Sequence, residues 1–254
     1  MAQKETDFMS TLPLESERQL SPAQRWALVP LSLLTLAAIA LVTVDLPIAR
    51  ACAPRDWPDE LHRYLRSIEP FATPYGQGML LLALIVILPN LKWRVPRIAT
   101  AAIAAGLSAD VVKLLVGRQR PKYFDMASDS AADAFYGLLP FLHDGPSLKS
   151  FPSAHTASGV AFAVMLTQLF PRGKWLFGIL AALVAVQRIE VCEHFVSDVL
   201  VGATVGWLVA NTILFQPRIS AWFDRLESRD ADSGSPTSGL GLVSDTGTDR
   251  KLAA

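Results

Sequence analysis

Charge and cysteine are both scarce in this sequence. Asp, Glu, Lys and Arg make up 18% of the 254 residues, and 23 basic residues balance 23 acidic ones. Because the formal net charge is zero, nothing points to nucleic acid as a partner, and any site for an anion must be local. Only two cysteines are present, Cys52 and Cys192. Two thiols exclude a multi-thiolate zinc site and a disulfide framework, and leave one possible pair.

Apolar residues dominate instead. They form 51% of the chain, which is typical of a membrane protein. A membrane-spanning helix needs about 20 mostly apolar residues. Six stretches predict such spans: residues 27–44, 71–88, 98–117, 153–170, 175–187 and 194–215. We therefore expect an all-α, polytopic bundle of six transmembrane helices over residues 23–217, between a polar tail at 1–22 and a polar, disordered tail at 218–254.

Two connections between the predicted spans are unusual. Residues 50–70 carry large apolar side chains at nearly helical spacing, which predicts an amphipathic helix on the membrane surface, with a solvated loop as the alternative. These side chains are Trp57, Leu61, Tyr64, Leu65 and Ile68. Residues 118–152 are polar and longer than a compact bundle requires, so we expect a lid over a substrate site.

Short basic loops predict the orientation. The loop after span two carries Lys92, Arg94 and Arg97, and the loop after span four carries Arg172 and Lys174. The positive-inside rule makes this side cytoplasmic, and six spans place both termini there. Arginines in the first outer loop weaken this bias. On this topology both cysteines lie outside, where an oxidising compartment would permit them to pair.

Polar residues converge on the opposite, outer face. Span three contains Asp110 and Lys113, and ionisable residues at membrane depth normally face a bundle interior or an aqueous cavity. The alternative for Lys113 is snorkelling from the helix end. Ser153 begins span four, Arg188 ends span five, and His194 begins span six with Asp198 one helical turn later. Cations beside a helix N-terminus predict a site for a phosphate-like anion.

Three ordered blocks at this face resemble a known family. They read Lys113-x6-Arg120-Pro121, Pro152-Ser153-Ala154-His155 and Arg188-x5-His194-x3-Asp198. They resemble the signature blocks of the type 2 phosphatidic acid phosphatase family, whose superfamily also includes vanadium haloperoxidases. The resemblance covers about residues 110 to 200 by motif and implies the helical bundle of that family. Ala154 stands where the family commonly has Gly, and Gln187 where it commonly has Ser.

The resemblance also implies roles for these residues. His194 would attack phosphorus to form a phosphohistidine, Asp198 would orient its imidazole, and His155 would protonate the leaving oxygen and later activate water. A further set would hold the phosphoryl oxygens, since phosphoryl transfer spreads negative charge over three oxygens. This set is Lys113, Arg120, Ser153, Ala154 and Arg188. No metal or other cofactor is implied.

We therefore expect a metal-independent membrane lipid phosphatase in a bacterial inner membrane, with its site on the periplasmic side. Its substrate would be a phosphatidic acid-, phosphatidylglycerol phosphate- or isoprenyl diphosphate-like lipid. A lipid phosphotransferase, a vanadate-dependent haloperoxidase and a catalytically silent lipid binder or transporter are the alternatives. Each residue also has a structural interpretation taken alone: Ser153 as a helix cap, Arg120-Pro121 as a turn and His155 as an interfacial histidine.

Overall fold

Helices account for most of the chain. The computed structural model describes residues 22–53, 57–139 and 146–233, and the helices in these ranges form a bundle with one small hairpin. The α-helices are α1 (Pro22–Thr43), α2 (Asp45–Cys52), α3 (Asp59–Ile68), α4 (Pro74–Ile87), α5 (Val95–Leu115), α6 (Ala154–Leu169), α7 (Lys174–Glu190), α8 (Val196–Phe215) and α9 (Pro217–Ser233). Short 3-10 helices lie at Glu69–Ala72, Pro89–Arg94, Pro121–Tyr123, Ala131–Ala134, Pro146–Leu148 and Pro171–Gly173.

Membrane-spanning length is reached by fewer helices than expected. Among the described residues, α1, α8 and the continuous segment Pro89–Leu115 are long and apolar enough to cross a membrane. A fourth span results if α3 and α4, which meet at a bend of 69°, are counted as one broken span. The remaining candidates, α6 and α7, have 16 and 17 residues. The all-α membrane bundle is confirmed, whereas the number of six spans is not.

Proline explains why span two is short. Pro74 begins α4 and Pro89 follows its end, so this helix has 14 residues. A proline cannot donate a backbone hydrogen bond, and the residue before it is pushed out of the helical region. The chain therefore bends before α4 instead of continuing from α3.

The centre of the bundle is formed by α6 and α8. Helix α8 packs against α1, α5 and α6, and α6 also packs against α5 and α7. A Cβ atom on Gly202 would lie 2.4 Å from the Ser153 carbonyl oxygen, and one on Gly206 would lie 2.3 Å from the Ala157 carbonyl oxygen. The lack of a side chain at these two glycines therefore allows α8 to pack closely against α6.

The long polar connection contains a hairpin. Strand β1 (Val116–Arg118) pairs antiparallel with β2 (Phe135–Leu138), with an irregularity between Gly117 and Arg118. Between the strands, Phe124, Ala131 and Ala134 pack in a buried cluster with Phe195 and residues of α2. The described part of this connection is thus packed onto the bundle. Its role as a substrate lid stays a prediction.

Two segments flank the bundle. A helix is present in the predicted amphipathic segment as α3, which buries Leu65 and contacts α7, whereas its location on the membrane surface stays a prediction. The C-terminal segment expected to be disordered begins instead with α9, whose Phe223 is buried against the bundle. Acidic side chains of α9 form ion pairs with Arg94, directly before α5, and with Arg97 in the first turn of α5. Residues 1–21 and 234–254 of the two predicted tails lie outside the described residues.

Candidate active site

His194 lies in the loop before α8, at the end of the bundle where α6 and α8 begin. It is 4% exposed, and its Nδ1 is 2.6 Å from the backbone carbonyl oxygen of Ser150. A carbonyl oxygen only accepts, so Nδ1 carries the proton and the lone pair of the neutral ring is on Nε2. Burial lowers the pKa of His194 well below its usual value, and the charges of Lys113 and Arg120 lower it further, whereas the hydrogen bond to Ser150 raises it. The imidazole is therefore neutral near pH 7.

Asp198 does not bond to His194 directly. Its Oδ2 is 3.9 Å from His194 Nδ1, beyond hydrogen-bond distance, so the expected contact is replaced by an indirect one. The same oxygen accepts hydrogen bonds from Ser150 Oγ at 2.6 Å and from the Phe195 backbone N–H at 2.9 Å. Asp198 thus holds Ser150, and the Ser150 carbonyl holds His194.

Arg118 is a buried cation that the sequence patterns did not single out. Its guanidinium is 0% exposed, donating to Asp198 Oδ1 at 2.5 Å and to Asp45 Oδ2 at 2.8 Å. It lies between the rings of Phe135 and Phe195, with its central carbon 4.6 and 4.1 Å from the ring centroids. Because both faces and both ends are held, Arg118 fixes Asp198 rather than facing a ligand.

Asp45 connects this arginine to the start of α8. Its Oδ1 accepts from the Ser197 backbone N–H at 2.9 Å, and its Oδ2 accepts from Ser197 Oγ at 2.5 Å. Ser197 Oγ in turn accepts from Arg118 at 2.7 Å. We call Asp45, Arg118, Ser150, Ser197 and Asp198 the anchoring network. Asp45 could have been identified from the sequence, because it is a charged residue directly after an apolar span.

Two helix N-termini meet beside His194. Ser153 is the N-cap of α6, accepting from the Thr156 hydroxyl at 3.0 Å, and its backbone N–H donates to the Asp198 carbonyl oxygen at 3.1 Å. The starts of α6 and α8 are therefore joined, and each presents the positive end of its dipole. Ser153 is itself buried as a cap, whereas Ala154 in the first turn is partly exposed.

Arg120 and Lys122 converge on one carboxylate. Glu193, the residue before His194, forms an ion pair with Arg120 and accepts from Lys122 Nζ at 2.5 Å. Burial raises the pKa of Glu193, but the hydrogen bond from Lys122 and the charge of Arg120 outweigh it, so the net pKa is lowered. A charged Glu193 holds both cations next to the imidazole.

Arg188 and His155 share a second carboxylate, Glu69. Arg188 Nη2 is 2.9 Å from Glu69 Oε1, and His155 Nε2 is 3.8 Å from the same oxygen. Arg188 Nε donates to the side-chain oxygen of Gln187 at 2.6 Å. Gln187, which departs from the family pattern, therefore orients Arg188. Neither Glu69 nor Glu193 was predicted from the sequence. Glu69 lies outside the three blocks, and Glu193 lies between two named positions of the third block.

Lys113 faces inward near the end of α5, and Asp110 does not. The Lys113 side chain is 12% exposed and its Nζ is 3.0 Å from Asp110 Oδ1, whereas the Asp110 carboxylate is 59% exposed. The expectation that both face the bundle interior is wrong for Asp110. Its position less than two turns from the helix end, together with the charge of Lys113, explains how it stays on the outside.

The two cysteines approach the same region without bonding to each other. Within the described part of the chain, no disulfide joins Cys52 to Cys192, and both side chains are buried. Cys192 Sγ is 3.9 Å from the Glu190 carbonyl oxygen. Burial, reinforced by the charge of Glu190, raises the pKa of the Cys52 thiol. The hypothesis that these cysteines pair is therefore not supported.

The predicted residues thus form one cluster at one end of the bundle. Lys113, Arg120 and Arg188 all lie close enough to His194 to act electrostatically on its imidazole, and Arg188 and Lys113 act likewise on His155. A neutral imidazole beside three cations and two helix N-termini combines a nucleophilic nitrogen with charges that attract a multiply charged anion. Such an arrangement can bind a phosphate-like group.

Comparisons with known proteins agree with this arrangement. The sequence model of the PAP2 superfamily matches residues 95–220, a range that contains every predicted site residue. Lipid A 1-phosphatase of Rhizobium etli is 30% identical over 133 residues, which cover 52% of this chain and 54% of that protein. Decaprenylphosphoryl-5-phosphoribose phosphatase of Mycobacterium tuberculosis is 33% identical over 140 residues, which cover 54% of this chain and 70% of that protein.

A solved structure shares the fold. The crystal structure of a transmembrane PAP2-type phosphatidylglycerolphosphate phosphatase from Bacillus subtilis superposes with a TM-score of 0.51 at 20% identity, covering 79% of this chain and 96% of that chain. The matches to the lipid A 1-phosphatases span only about half the length of those relatives. The mycobacterial relative is matched over more than two thirds of its length. The match to this mycobacterial relative, the match to the PAP2 sequence model and the three signature blocks show that the chain belongs to the PAP2 superfamily.

Proposed function

We propose that this protein is a membrane lipid phosphatase that works through a phosphohistidine at His194. The observation that carries the proposal is the state of that imidazole: Nδ1 is engaged with the Ser150 carbonyl at 2.6 Å, which leaves the lone pair on Nε2 for attack. Three cations lie around it, namely Lys113, Arg120 and Arg188. Fixed charges of this kind stabilise the charge that spreads over the phosphoryl oxygens in the transition state.

In the first step, His194 Nε2 attacks phosphorus and the bond from phosphorus to the lipid oxygen breaks. His155, protonated on its imidazole, gives its proton to the leaving oxygen, so the lipid departs as an alcohol. Burial and the charge of Arg188 lower the pKa of His155, and the carboxylate of Glu69, 3.8 Å from its Nε2, acts against this lowering. The phosphoryl group is then bound covalently to His194.

In the second step, water attacks the phosphohistidine. Neutral His155 takes a proton from this water, the bond between phosphorus and His194 breaks, and inorganic phosphate is released. Both histidines return to their starting states. The anchoring network keeps the His194 ring in one orientation through both steps, because Asp198 acts on it through Ser150. Backbone N–H groups at the start of α6, including that of Ala154, face the phosphoryl oxygens together with the cations.

The membrane setting supports a lipid as substrate. Helices long and apolar enough to cross a bilayer end at the site, so a phosphate at headgroup level reaches His194 while the hydrocarbon chains stay between helices. The curated relatives are named for lipid A and for a decaprenylphosphoryl phosphoribose. We assign the site to the outer side of a bacterial inner membrane, with the end that carries the basic loops and α9 in the cytoplasm.

Phosphate release by the purified protein tests this proposal. We expect hydrolysis of a phosphomonoester lipid in the presence of a chelator, and His194→Ala to lower kcat by about 10³-fold or more. Arg120→Met should lower kcat/KM strongly. The control Arg218→Met, which changes an exposed arginine at the opposite end of the bundle, should leave kcat/KM unchanged. Full activity of His194→Ala would exclude this site. Transfer of phosphate to a second lipid, without release of inorganic phosphate, would show that the protein is a phosphotransferase and not a hydrolase.

A further inference from the structure

A polar cavity opens beside the cluster of site residues. It has a volume of about 620 Å³ and lies between α3, the end of α7 and the loop that leads to α8. Its wall includes Arg188, Glu69 and Glu193, which also belong to the candidate active site, and Trp57 and Glu190, which do not. We call this space the outer cavity. Pockets that bury small organic ligands measure about 300–1,000 Å³, so the outer cavity is larger than a phosphate alone requires.

The position of the outer cavity relates it to the leaving group. Glu69 Oε1 is 2.9 Å from Arg188 and 3.8 Å from His155, the proposed proton donor to the leaving oxygen. Whatever is bonded to that oxygen must extend away from phosphorus on the side of His155. Since Glu69 and Arg188 form part of the wall, the outer cavity is the space next to this side of the site.

The charges of this cavity disfavour a second anionic group there. Its described walls carry four carboxylates and two guanidinium groups. The carboxylates belong to Asp59, Glu69, Glu190 and Glu193, and the guanidinium groups to Arg66 and Arg188. Like charges repel most strongly where water is partly excluded. Glu69 and Glu193 are already paired with cations, so the repulsion on the second phosphate of a diphosphate lipid comes from Asp59 and Glu190. A neutral or amino-bearing group meets no such repulsion.

Glu190 supplies a carboxylate acceptor to the same wall. Its side chain is buried, and Oε1 is 2.7 Å from His62 Nδ1. For Oε2, no hydrogen-bond partner exists among the residues that the structure describes. Buried carboxylate oxygens are normally paired, so a donor from a ligand or a water is expected here. A hydroxyl or amino group of a substrate would satisfy it.

The half-buried indole of Trp57 adds a second type of surface to the same wall. An indole combines a flat apolar face with one N–H donor. Carboxylate acceptors, a histidine and a flat aromatic ring together suit a ring that has hydroxyl groups at its edge and C–H bonds on its faces. Those are the chemical features of a sugar.

We propose that the outer cavity binds a polyhydroxylated, sugar-like group that carries the scissile phosphate, so that the preferred substrate is a phosphorylated glycolipid rather than a diphosphate lipid. This proposal rests on the proposed phosphatase function and specifies its substrate class. The sugar fills the outer cavity, its hydroxyl groups donate to Glu190 and Glu69, and the hydrocarbon part remains in the membrane.

Steady-state rates on four phosphate esters test the proposal. The purified full-length protein in nanodiscs is given a glycolipid monophosphate with the phosphate on its glucose ring, phosphatidic acid, farnesyl diphosphate and soluble p-nitrophenyl phosphate. We expect kcat/KM for the glycolipid to exceed that for farnesyl diphosphate by about tenfold or more. A preference for farnesyl diphosphate, or equal rates on all four esters, would overturn the sugar subsite and leave the phosphatase function intact.

Two variants locate the preference. Trp57→Ala and Glu190→Gln should each lower kcat/KM for the glycolipid about tenfold, mainly through KM, and change the value for phosphatidic acid less than about twofold. Trp175→Ala removes an exposed indole at the other end of α7 and should change neither value. Equal losses on both lipids would indicate a merely structural role and overturn the subsite. Failure of the wild-type protein to hydrolyse any of the esters, p-nitrophenyl phosphate included, would overturn both proposals.

Discussion

Arg118 is the cation on which two buried carboxylates depend. Asp45 and Asp198 are both at most 1% exposed, and each accepts from a different end of its guanidinium. A buried charge without a partner costs far more than the net gain of a buried pair. The arginine is therefore essential to the site for a reason that has nothing to do with phosphate: without it, Asp198 cannot hold Ser150 in place for His194.

Replacing Arg118 with a neutral residue of similar length should destabilise the protein. Arg118→Met leaves both carboxylates unpaired, and breaking a buried pair of this kind costs about 3–5 kcal/mol. Thermal unfolding in detergent measures the loss. If the network is the cause, adding Asp45→Asn to Arg118→Met removes one uncompensated charge and recovers part of the stability. A double variant that unfolds below the Arg118→Met protein would contradict this account.

The buried histidine also sets a pH dependence. The pKa of His194 is held well below its usual value by burial and then by Lys113, so the neutral, nucleophilic ring persists at pH values where a free histidine is charged. Activity should therefore persist below about pH 6.5 and be lost as the pH falls through the lowered pKa. Lys113→Met removes a positive charge, so protonation of His194 becomes easier and its pKa rises. The acid limb of the kcat/KM profile should therefore move to higher pH.

Comparing Lys113→Met with the wild type on one substrate removes the contribution of the substrate phosphate, which titrates identically in both profiles. If the acid limb stays at the same pH while kcat/KM falls, Lys113 acts on the substrate phosphate and not on the pKa of His194. A limb that moves to lower pH would contradict the electrostatic argument altogether.

Helices α6 and α8 determine where the site residues sit. Gly202 lies directly against the Ser153 carbonyl and Gly206 against the Ala157 carbonyl, so the distance between these helices is set by the absence of two side chains. Ser153 also donates to the Asp198 carbonyl oxygen at 3.1 Å, which joins the two helix starts. The packing of a helix pair and the geometry around His194 are therefore one structural feature.

Alanine at these glycines should separate stability from function. Both Gly202→Ala and Gly206→Ala force the helices apart and should cost about 1–3 kcal/mol of unfolding free energy. Only Gly202→Ala displaces Ser153, so it should also lower kcat, whereas Gly206→Ala acts one turn further from the site. Gly78→Ala is the matched control, because a Cβ there meets nothing within 4 Å. Equal kcat values in the two test variants would show that the site tolerates the displacement.

Local sequence patterns predicted these elements better than the contacts between them. Apolar runs indicated the helices, and the spacing of Arg188, His194 and Asp198 indicated the site. The anchoring network could not be found in this way, since Asp45 and Arg118 are 73 positions apart and meet only when α2 and the hairpin pack together. The spacing of His194 and Asp198 also suggested a direct bond, but the loop ends before α8 and turns Nδ1 toward Ser150. The count of six spans is not confirmed, because prolines shorten α4 and because α6 and α7 have only 16 and 17 residues.

The two ends of the molecule differ in how their charges are arranged. At the site end, cations surround a buried histidine. At the other end, Arg97 pairs with Asp224 at 2.8 Å and Glu227 at 3.3 Å, and lies over the Phe223 ring at 5.3 Å. Acidic residues of α9 thus pair with part of the basic loop. The positive-inside rule counts Lys and Arg rather than net charge, so this pairing does not reverse the orientation that the loop predicts.

Thiol labelling tests this orientation directly. Ser228→Cys places an exposed cysteine on α9, and Asp129→Cys places one in the connection at the site end. The two natural cysteines are each 2% exposed, so the wild-type protein should label slowly and serve as background. In intact bacterial cells, a membrane-impermeant maleimide should label Asp129→Cys, and it should reach Ser228→Cys only after the membrane is opened. Labelling of Ser228→Cys in intact cells, with Asp129→Cys protected, would place the site in the cytoplasm and require its lipid phosphate to come from the inner leaflet.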